Sequence, residues 1–387
     1  MRVLLVNRFF GNPHVPTGRM LLDVARELAL GGHDVHVLTT RDVYVSSGTA
    51  GAEAEPRATV HVLWVARGKS RLVSWTLFWL QVCLVLPWMR WDRCLLLTDP
   101  PFMSFAAWLA RLVRRCGRKA YWWTMDLYPE CLIADGAISA GGVGDRLLRG
   151  LNELGLRALA GVIVLGRRQL HRLQTYRNWP ANAEEFARIV PPWDDRPLPR
   201  VPREENGFLS QHGWTSRRVA LYAGNLGRGH TYRDLLAAAR ELNRRGDREW
   251  RFVFVCRGDG CSALADEAAG LENVVVMGYV PANRTHELLW SADVHLITMA
   301  DGWEGIVVPS KLYGVLRTDA PVLFIGPGDA DTADEIRRHG AGTVLPNGCG
   351  AEAVLDALDC LVDGPWQRRH PAIGAGAGSV SAFVLGL

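Results

Sequence analysis

The chain has 387 residues, which at roughly 100–200 residues per domain favours two domains, each able to bury its own core. Hydrophobic residues make up 48% and charged residues 22%, and this ordinary composition excludes wholesale disorder and fibrous or coiled-coil architectures. The net charge of +4, from 44 basic and 40 acidic residues, is too balanced to indicate a nucleic-acid partner.

Arginine supplies almost all of the positive charge, because only Lys69, Lys119 and Lys311 are lysines. No folding requirement explains this skew, which is typical of GC-rich coding in actinomycete-like bacteria. The 8 cysteines include no Cys-x-x-Cys pair, and the sequence begins with an apolar, strand-like run instead of a secretory leader. We therefore expect a cytoplasmic protein with reduced thiols and no metal centre.

Short apolar runs alternate with helical patterns in the first half of the chain. A helix that opens at Thr17 has one apolar and one charged face, and Gly31-Gly32 ends it. Such alternation indicates a parallel sheet with helices on both faces. The predicted strands are Val3–Val6, Val35–Thr39, Val60–Val65, Arg93–Leu97, Lys119–Trp123 and Val162–Leu165.

One apolar stretch, residues 72–89, has to be compared with a membrane span. It is at the short edge of the ~20 residues that a spanning helix needs, and more α/β pattern follows it directly. We expect a buried helix or one that lies on a surface, with a true span as the less favoured alternative.

A proline-rich break follows, and then the α/β pattern restarts. The first helix of the second half has a start like a capping box at Thr231–Asp234. The predicted strands of this half are Val219–Ala223, Phe252–Cys256, Val274–Met277, Val294–Thr298 and Val322–Ile325. We expect two Rossmann-like parallel-sheet domains, 1–190 and 218–363, with a cleft between them, a linker over 191–217 and a Gly/Ala-rich tail over 364–387.

Two loops of the second half follow strands and are rich in glycine. The first contains Gly224, Gly227 and Gly229, which allow close approach of an anion, and Arg228, which suits a phosphate. The second contains Arg257 and Gly258. Arg257 fits a second phosphate contact or a solvated loop residue equally well.

The loop before Thr17-Gly18 in the first half ends at a helix N-terminus and could hold a phosphate or sugar oxygen, or be an ordinary loop.

The run Asp301–Tyr313 gives the strongest signal. Pro309-Ser310 resembles the first turn of a helix, and Lys311, one of three lysines, follows it. A helix N-terminus with serine and lysine suits a diphosphate. Glu304 just before it can accept hydrogen bonds from vicinal hydroxyls, as acids do on ribose in dinucleotide folds.

An aromatic segment ends the fifth predicted strand. Asp126 follows Trp122-Trp123 and precedes Tyr128, and this carboxylate could contact a sugar or an acceptor, or cap a turn. Because side chains alternate along a strand, one tryptophan is expected in the core and the other in a pocket. Aromatic faces bind sugars and quaternary ammonium groups.

Together these blocks resemble the family-4 retaining glycosyltransferases of GT-B fold, and among them the subgroup of bacterial capsule, O-antigen and colanic-acid transferases. The resemblance covers roughly residues 1–360. The stretches that carry it are Thr17-Gly18 with Gly31–Val37, Leu97–Pro101, Asp126–Glu130, Tyr222–Gly227 and, most specifically, Val308–Tyr313.

The resemblance implies a nucleotide-sugar donor on the C-terminal domain, an acceptor on the N-terminal domain, and no metal or other cofactor. The donor residues it implies are Thr17, Gly18, Gly224, Asn225, Gly227, Arg228, Arg257, Gly258, Tyr279, Glu304, Gly305, Val308, Pro309, Ser310 and Lys311. The catalytic candidates are Asp99, Asp126, Arg228 and Lys311, and the acceptor candidates are Trp122, Trp123 and Tyr128.

The chain departs from the broader family at several positions. The second acid of the family's two-glutamate element falls near Gly314, and Asn225 and His230 occupy the places of a phosphate-binding Arg and Lys. Thr98 and Met125 stand where family members have histidines. The tail lacks the family's helix that returns to the first domain.

Several functions remain open at this stage. The acceptor is a small molecule, for example in antibiotic biosynthesis, or a lipid-linked glycan, in which case residues 72–89 contact the inner face of the membrane. A non-catalytic GT-B partner subunit is the alternative from another class, and a nucleotide-sugar epimerase is less favoured. A homodimer is compatible with each of them.

Overall fold

A computed structural model of the protein describes residues 1–11, 15–40, 58–63, 71–113, 119–181, 183–364 and 375–387. Its internal contacts divide the chain into two compact units. Unit 1 comprises Met1–Trp193, Gly305–Val308 and Ile373–Leu387, and unit 2 comprises Asp194–Glu304 and Pro309–Ala372. Parts of the predicted first loop (12–14), third strand (64–65) and tail (365–374) lie outside the described residues.

Unit 1 is built on one parallel sheet with helices between its strands. The strands are β1 (Arg2–Val6), β2 (Asp34–Thr40), β3 (Ala58–Leu63), β4 (Arg93–Leu97), β5 (Lys119–Trp123), β6 (Leu159–Val164) and β7 (Ala187–Ile189), in the spatial order β3-β2-β1-β4-β5-β6-β7. The helices before residue 190 are α1 (Pro16–Leu30), α2 (Arg71–Val85), α3 (Met103–Val113), α4 (Glu130–Ala134), α5 (Val143–Leu156), α6 (Arg167–Gln174) and α7 (Ala183–Phe186). The central strands are almost wholly buried, as apolar runs in a sheet covered on both faces must be.

Unit 2 repeats this construction, which confirms the predicted α/β class with two parallel sheets. Its strands are β8 (Arg218–Asn225), β9 (Trp250–Arg257), β10 (Val274–Met277), β11 (Val294–Thr298), β12 (Val322–Ile325) and β13 (Gly342–Leu345), in the order β10-β9-β8-β11-β12-β13. Its helices are α8 (Gly207–His212), α9 (Arg233–Arg245), α10 (Asp259–Glu267), α11 (Thr285–Trp290), α12 (Lys311–Val315), α13 (Asp331–His339) and α14 (Gly350–Asp363).

The strand order reverses once in each sheet. The chain builds from β1 to β3 on one side of the first sheet and from β4 to β7 on the other, and β8–β10 and β11–β13 do the same in the second. Loops at the carboxyl ends of the two strands beside a reversal run apart and leave a crevice, where open α/β sheets bind ligands. The fold therefore directs attention to the ends of β1 and β4 and of β8 and β11.

The C-terminal residues form a helix that packs in unit 1, so the expectation of a tail without a returning helix is wrong. Helix α15 (Ala375–Leu385) lies against α1 and β4. Its Phe383 ring centroid is 5.5 Å from that of Tyr121, and a Cβ on Gly376 would overlap the Trp193 ring. The helix is apolar on all sides, so it lacks the amphipathic period by which a helix is recognised in a sequence.

The predicted linker over 191–217 contains structured parts of unit 2. The Asn206 side chain accepts hydrogen bonds from the backbone N–H groups of Phe208 and Leu209 and so caps α8. Phe208 and Leu209 are buried with Trp214 in a core that includes Val219 of β8. This segment is therefore anchored to the second sheet by its apolar side chains.

The predicted capping box at Thr231–Asp234 does not form. Helix α9 begins at Arg233, and the Asp234 carboxylate accepts hydrogen bonds from the backbone N–H groups of Gly348 (3.0 Å) and Gly350 (3.1 Å). The side chain thus holds the turn before α14 instead of the start of its own helix.

Cys256 and Cys261 form a disulfide, which corrects the expectation of reduced thiols at these two positions. Cys256 lies near the end of β9 and Cys261 in the first turn of α10, with their Cα atoms 6.1 Å apart. The strand-to-helix turn brings them together, and a search for Cys-x-x-Cys spacing cannot detect that.

Residues 72–89 lie along α2 and the turns that follow it. Within the described ranges, no helix combines the length and the apolar character needed to cross a bilayer. Phe78 and Val82 on one side of α2 are buried, whereas Leu84 on the other side is 70% exposed. The exposed apolar residues of α2 and of the turn that follows it, which we call the α2 stripe, are Leu72, Val73, Leu80, Leu84 and Trp88.

Candidate functional site

Lys311 lies where the strand order of the second sheet reverses. It begins α12, and its Cδ would be 3.3 Å from a Cβ on Gly224 at the end of β8. Gly224 has a φ of 145°, so a side chain at this position would be strained as well as in contact with the lysine. The Lys311 Nζ is 3.6 Å from the centroid of the Tyr222 ring, which is within cation–π distance.

The Nζ atom of Lys311 is buried, although the residue as a whole is partly exposed. It has no hydrogen-bond partner in the part of the chain that the structure describes. Burial therefore lowers the pKa of Lys311 well below its usual value. A buried cation without a counter-charge is unfavourable, so this position favours an anionic ligand.

His230 joins Lys311 and Tyr222 from the loop between β8 and α9. Its Nδ1 is 2.5 Å from the backbone carbonyl oxygen of Thr298 at the end of β11, and its ring meets the Tyr222 ring edge-on at 6.2 Å. Because a carbonyl oxygen can only accept, Nδ1 must carry the proton, which leaves Nε2 as an acceptor. Burial is the main cause that lowers the pKa of His230 to about 3, so the imidazole is neutral at physiological pH.

Four residues therefore meet at the reversal, and we call them the lysine cluster: Tyr222, His230, Thr298 and Lys311. Sequence reasoning identified Lys311 and named His230 only as the occupant of a family cation position. Tyr222 and Thr298 were missed, because both look like ordinary strand residues until the adjacency of β8 and β11 is known. The cluster has one potential positive charge and no carboxylate, which is chemistry suited to a phosphate or diphosphate.

Most of the glycines predicted to approach an anion pack against protein atoms. A Cβ on Gly229 would lie 2.9 Å from the Trp303 ring, and one on Gly258 would lie 2.6 Å from Asn225 Oδ1. A Cβ on Gly227 would lie 3.1 Å from Asn225 Nδ2. These approaches account for the glycines without a ligand, whereas Gly224 borders the lysine cluster.

The two arginines predicted to contact phosphate are surface residues. Arg228 has a side chain that is 63% exposed, with its Nε 3.9 Å from an Asp259 carboxylate oxygen. Arg257 is exposed, and its guanidinium lies 4.7 Å above the centroid of the Tyr279 ring. Both can reach a ligand only from the solvent side, unlike the buried Lys311.

The run from Glu304 to Lys311 is divided between the two units. Within unit 1, the Leu127 N–H donates to the Ile306 carbonyl oxygen at 3.1 Å. Gly305 has a φ of 69°, and a Cβ there would lie 2.8 Å from the Arg168 carbonyl oxygen, so a glycine is required. Gly305 and Val308 belong to unit 1, and Glu304, Pro309, Ser310 and Lys311 belong to unit 2.

Arg8 and Asp99 lie at the reversal of the first sheet. Arg8 follows β1 and Asp99 follows β4, with Nε and Oδ1 3.4 Å apart. The Arg8 N–H also donates to the Asp99 carbonyl oxygen at 3.0 Å. The Arg8 side chain is only 5% exposed, so its charge is balanced inside the protein. Sequence reasoning selected Asp99 and missed Arg8, whose signal is its position two residues after the end of the first strand.

Asp126, the other acidic candidate of unit 1, is exposed after β5. Thr98 Oγ1 accepts hydrogen bonds from the backbone N–H groups of Met125 (3.0 Å) and Asp126 (3.3 Å). Thr98, at a position where the resembled family has a histidine, therefore fixes the backbone that presents Asp126. The catalytic roles of Asp99 and Asp126 stay predictions.

Trp122 and Trp123 are core residues, which corrects their assignment to an acceptor pocket. Their side chains are 1% and 0% exposed, and Trp123 stacks on Trp193 at 5.5 Å. Both are buried because a central parallel strand is covered on both faces, so alternation does not bring one of them to the surface. Tyr128 is half-buried, with edge contacts to the rings of Trp75 (5.9 Å) and Phe102 (6.4 Å).

Thr17 and Gly18 lie in the first turn of α1, where Pro16 supplies the fixed φ suited to a helix start. Gly18 is buried, and a Cβ there would lie 3.1 Å from Phe9 Cβ, so close packing is enough to explain the glycine.

In the described residues, no three His, Cys, Asp or Glu side chains are grouped to hold a metal ion.

Comparison with known proteins supports a relation in the second unit. Residues 217–363 match the family model described as Glycosyl transferases group 1. The protein named "Probable glycosyltransferase WbjE" of Pseudomonas aeruginosa is 27% identical over 238 residues, a match that covers 57% of this chain and 54% of that protein. The chain therefore spans about half the length of this curated relative.

Solved structures resemble the whole chain. Sucrose-phosphate synthase from Thermosynechococcus elongatus has a TM-score of 0.66 at 13% identity, covering 100% of this chain and 94% of its own. WaaG, a glycosyltransferase involved in lipopolysaccharide biosynthesis, has a TM-score of 0.63 at 18% identity, covering 100% and 96%. At identities of 13% and 18%, these matches show similarity of fold and nothing about activity. The chain has the GT-B fold, and its residues 217–363 are similar to the group 1 glycosyl transferases.

Proposed function

We propose that the protein is a retaining, family-4-type glycosyltransferase that moves a sugar from a UDP- or GDP-linked donor to a small-molecule or glycan acceptor. The observation that carries the proposal is the buried Nζ of Lys311, which has no hydrogen-bond partner among the described residues. The lysine cluster lies entirely within residues 217–363, the part similar to group 1 glycosyl transferases. The name of the Pseudomonas relative supports the same class of activity.

In this proposal Lys311 pairs with the donor diphosphate. The bond between the anomeric carbon and the diphosphate oxygen breaks, the acceptor oxygen bonds to the anomeric carbon on the same face, and the acceptor proton passes to the leaving diphosphate. Negative charge builds on that diphosphate as the bond breaks, so a cation fixed beside it stabilises the transition state more than the ground state. Because Lys311 supplies this charge, the proposal includes no metal and no other cofactor.

The other predicted residues have supporting roles. Glu304 accepts hydrogen bonds from the ribose hydroxyls, and Arg228 and Arg257 add cations on the solvent side. Asp126 is exposed and suits contact with an acceptor hydroxyl, whereas Asp99 is already paired with Arg8. The arginine-for-lysine skew favours an actinomycete-type source, and with it an acceptor from antibiotic biosynthesis.

A thermal-shift series tests the proposal directly. Purified protein is heated with UDP, GDP, dTDP or ADP and with the matching nucleotide sugars. Selective stabilisation by one base, followed by transfer to an acceptor with the anomeric configuration retained, supports the proposal. Stabilisation without turnover on any acceptor favours a non-catalytic partner subunit. No stabilisation by any nucleotide contradicts the assignment of the lysine cluster.

The α2 stripe favours a second candidate for the acceptor, a lipid-linked glycan at the inner face of a membrane. Residues 72–89 would then lie on the bilayer surface, because exposed apolar side chains gain by leaving water. We expect the L80S/L84S variant to partition roughly tenfold less onto phosphatidylethanolamine–phosphatidylglycerol vesicles. Leu147→Ser, at an exposed apolar position on α5, is the matched control. Equal partitioning of all three proteins would reject this surface.

A further inference from the structure

The elements that form the lysine cluster supply no counter-charge to Lys311 among the described residues. From β8, the Tyr222 ring lies at cation–π distance from Nζ, and the Tyr222 hydroxyl donates to the Asn225 carbonyl oxygen at 2.9 Å. From the loop after β8, His230 is neutral. From the end of β11, the Thr298 carbonyl is occupied by His230. No element contributes a carboxylate within bonding distance of Nζ in the described residues.

The charged groups nearest in sequence are engaged elsewhere or exposed. Arg228 lies on the surface near Asp259, and Asp301 accepts a hydrogen bond from Asn347 at 2.7 Å. Glu304 is half-buried, and its carboxylate receives no hydrogen bond from the Lys311 Nζ. The unliganded cluster is therefore built with almost no fixed charge of either sign.

We propose that Lys311 is largely an uncharged amine in the free protein, and that donor binding takes up about one proton from solvent to convert it into an ammonium ion paired with the diphosphate. This inference rests on the proposed function, since it concerns the same donor site. Tyr222 and His230 are its positioning residues: the ring holds Nζ, and the imidazole, tied to Thr298, keeps a second cation out.

The physical reason lies in the cost of burying an unpaired charge. A neutral amine is tolerated among an aromatic ring and a neutral imidazole, whereas an ammonium ion there lacks a counter-charge. A diphosphate diester brings two negative charges and removes that cost, so protonation becomes favourable when it enters. The step is balanced: the amine gains one proton from the buffer, and no bond of the donor is broken.

A direct test observes the lysine itself. The chain has only three lysines, so protein labelled with carbon-13 at the lysine ε-carbon should give three signals, of which Lys311→Arg identifies one. We expect the Lys311 signal to titrate far below the usual range of a lysine, and to move to its charged position when donor is added. A Lys311 signal that already has the charged position at pH 8 in the free protein overturns the inference.

Calorimetry supplies the proton count. Binding of the stabilising nucleotide sugar is measured at pH 8 in HEPES and in Tris, whose ionisation enthalpies differ, because a nucleotide sugar has no phosphate group that titrates near this pH. We expect uptake of about one proton by the wild type and almost none by Lys311→Arg, whose guanidinium stays charged. Lys119→Arg is the matched control and should keep the wild-type count.

The positioning role of the two neighbours has its own measurement. His230→Asn keeps a donor to Thr298 and should leave proton uptake near the wild-type value, whereas Tyr222→Leu should reduce it by exposing Nζ to water. Equal uptake in Tyr222→Leu and wild type rejects the role of the ring. Donor binding without proton uptake rejects the inference but leaves the proposed function standing. Absence of binding by every nucleotide sugar rejects both.

Discussion

Both sheets place a basic side chain at the point where their strand order reverses, but the two side chains differ in what they are paired with. In unit 1, Arg8 is paired with Asp99, so the charge is neutralised within the protein. In unit 2, Lys311 meets an aromatic ring and a neutral imidazole, and its Nζ has no partner among the described residues. A basic group that the protein does not pair internally is available to an anionic ligand. The difference supports the proposal that an anionic donor binds in unit 2.

The largest effect that would break this comparison is expected in unit 1. Replacement of Arg8 by leucine should lower the free energy of unfolding by about 3 kcal/mol, because Asp99 is left as a largely buried carboxylate without its partner. Urea unfolding measures this loss. Arg8→Lys, which keeps the charge, should recover part of the stability. If Arg8→Leu is as stable as the wild type but no longer binds nucleotide, Arg8 has the ligand-binding role that we give to Lys311, and the comparison is wrong.

The matching change in unit 2 should have the opposite sign for stability. Lys311→Met removes a poorly compensated buried amine, so the free energy of unfolding should rise by about 1 kcal/mol. Nucleoside-diphosphate affinity should fall by about 1.5–3 kcal/mol, because a charge-assisted contact is lost. Thermal unfolding and calorimetric titration measure the two quantities. An unchanged affinity would eliminate the phosphate contact of Lys311.

Because His230 is neutral in the folded protein, the free energy of unfolding should depend on pH. An unfolded histidine titrates near pH 6.5, whereas burial holds the pKa of His230 at about 3 in the folded protein. Between these values the unfolded state binds the proton and the folded state does not, so stability is present above pH 6.5 and is lost as pH falls. At pH 5 the loss should be about 2 kcal/mol relative to His230→Asn, which does not titrate. His171→Asn, on the exposed surface of α6, is the control and should follow the wild type.

The smallest expected effect separates the ribose from the diphosphate. Glu304→Ala should weaken nucleoside-diphosphate binding by about 1 kcal/mol through lost hydrogen bonds, while pyrophosphate affinity should stay the same. Competition titrations with the two ligands give the ratio. Equal losses for both ligands would show that Glu304 acts on the phosphates or on the loop and not on the ribose.

The fold could be predicted from the sequence because its signal is local. Each strand is a short apolar run and each surface helix has an amphipathic face, so alternation alone indicates two parallel sheets. Lys311 could be selected because a lysine is rare in this chain and follows a proline–serine helix start. Signals of this kind need no knowledge of which strands are neighbours.

The rest of the site depends on neighbours in space. Tyr222 and Thr298 meet His230 and Lys311 only because β8 lies beside β11. The order of strands in a sheet cannot be predicted from the sequence of any single segment. The prediction that Trp122 or Trp123 faces a pocket failed for a related reason. Alternation along a strand gives an exposed face only when one side of the sheet is not covered by helices. Helix α15 was missed because a helix buried on several sides has no amphipathic period.

Helix α15 also has a consequence for the order in which the protein can be completed during synthesis. Val380 and Val384 are fully buried in unit 1, against elements that leave the ribosome long before them. Domains generally fold as they emerge, from the N-terminus onward. Here unit 1 lacks one of its packing helices until residues 375–385 have been translated. Unit 2 can fold before that point, so a nascent chain would keep the apolar side of α1 accessible to chaperones until α15 emerges.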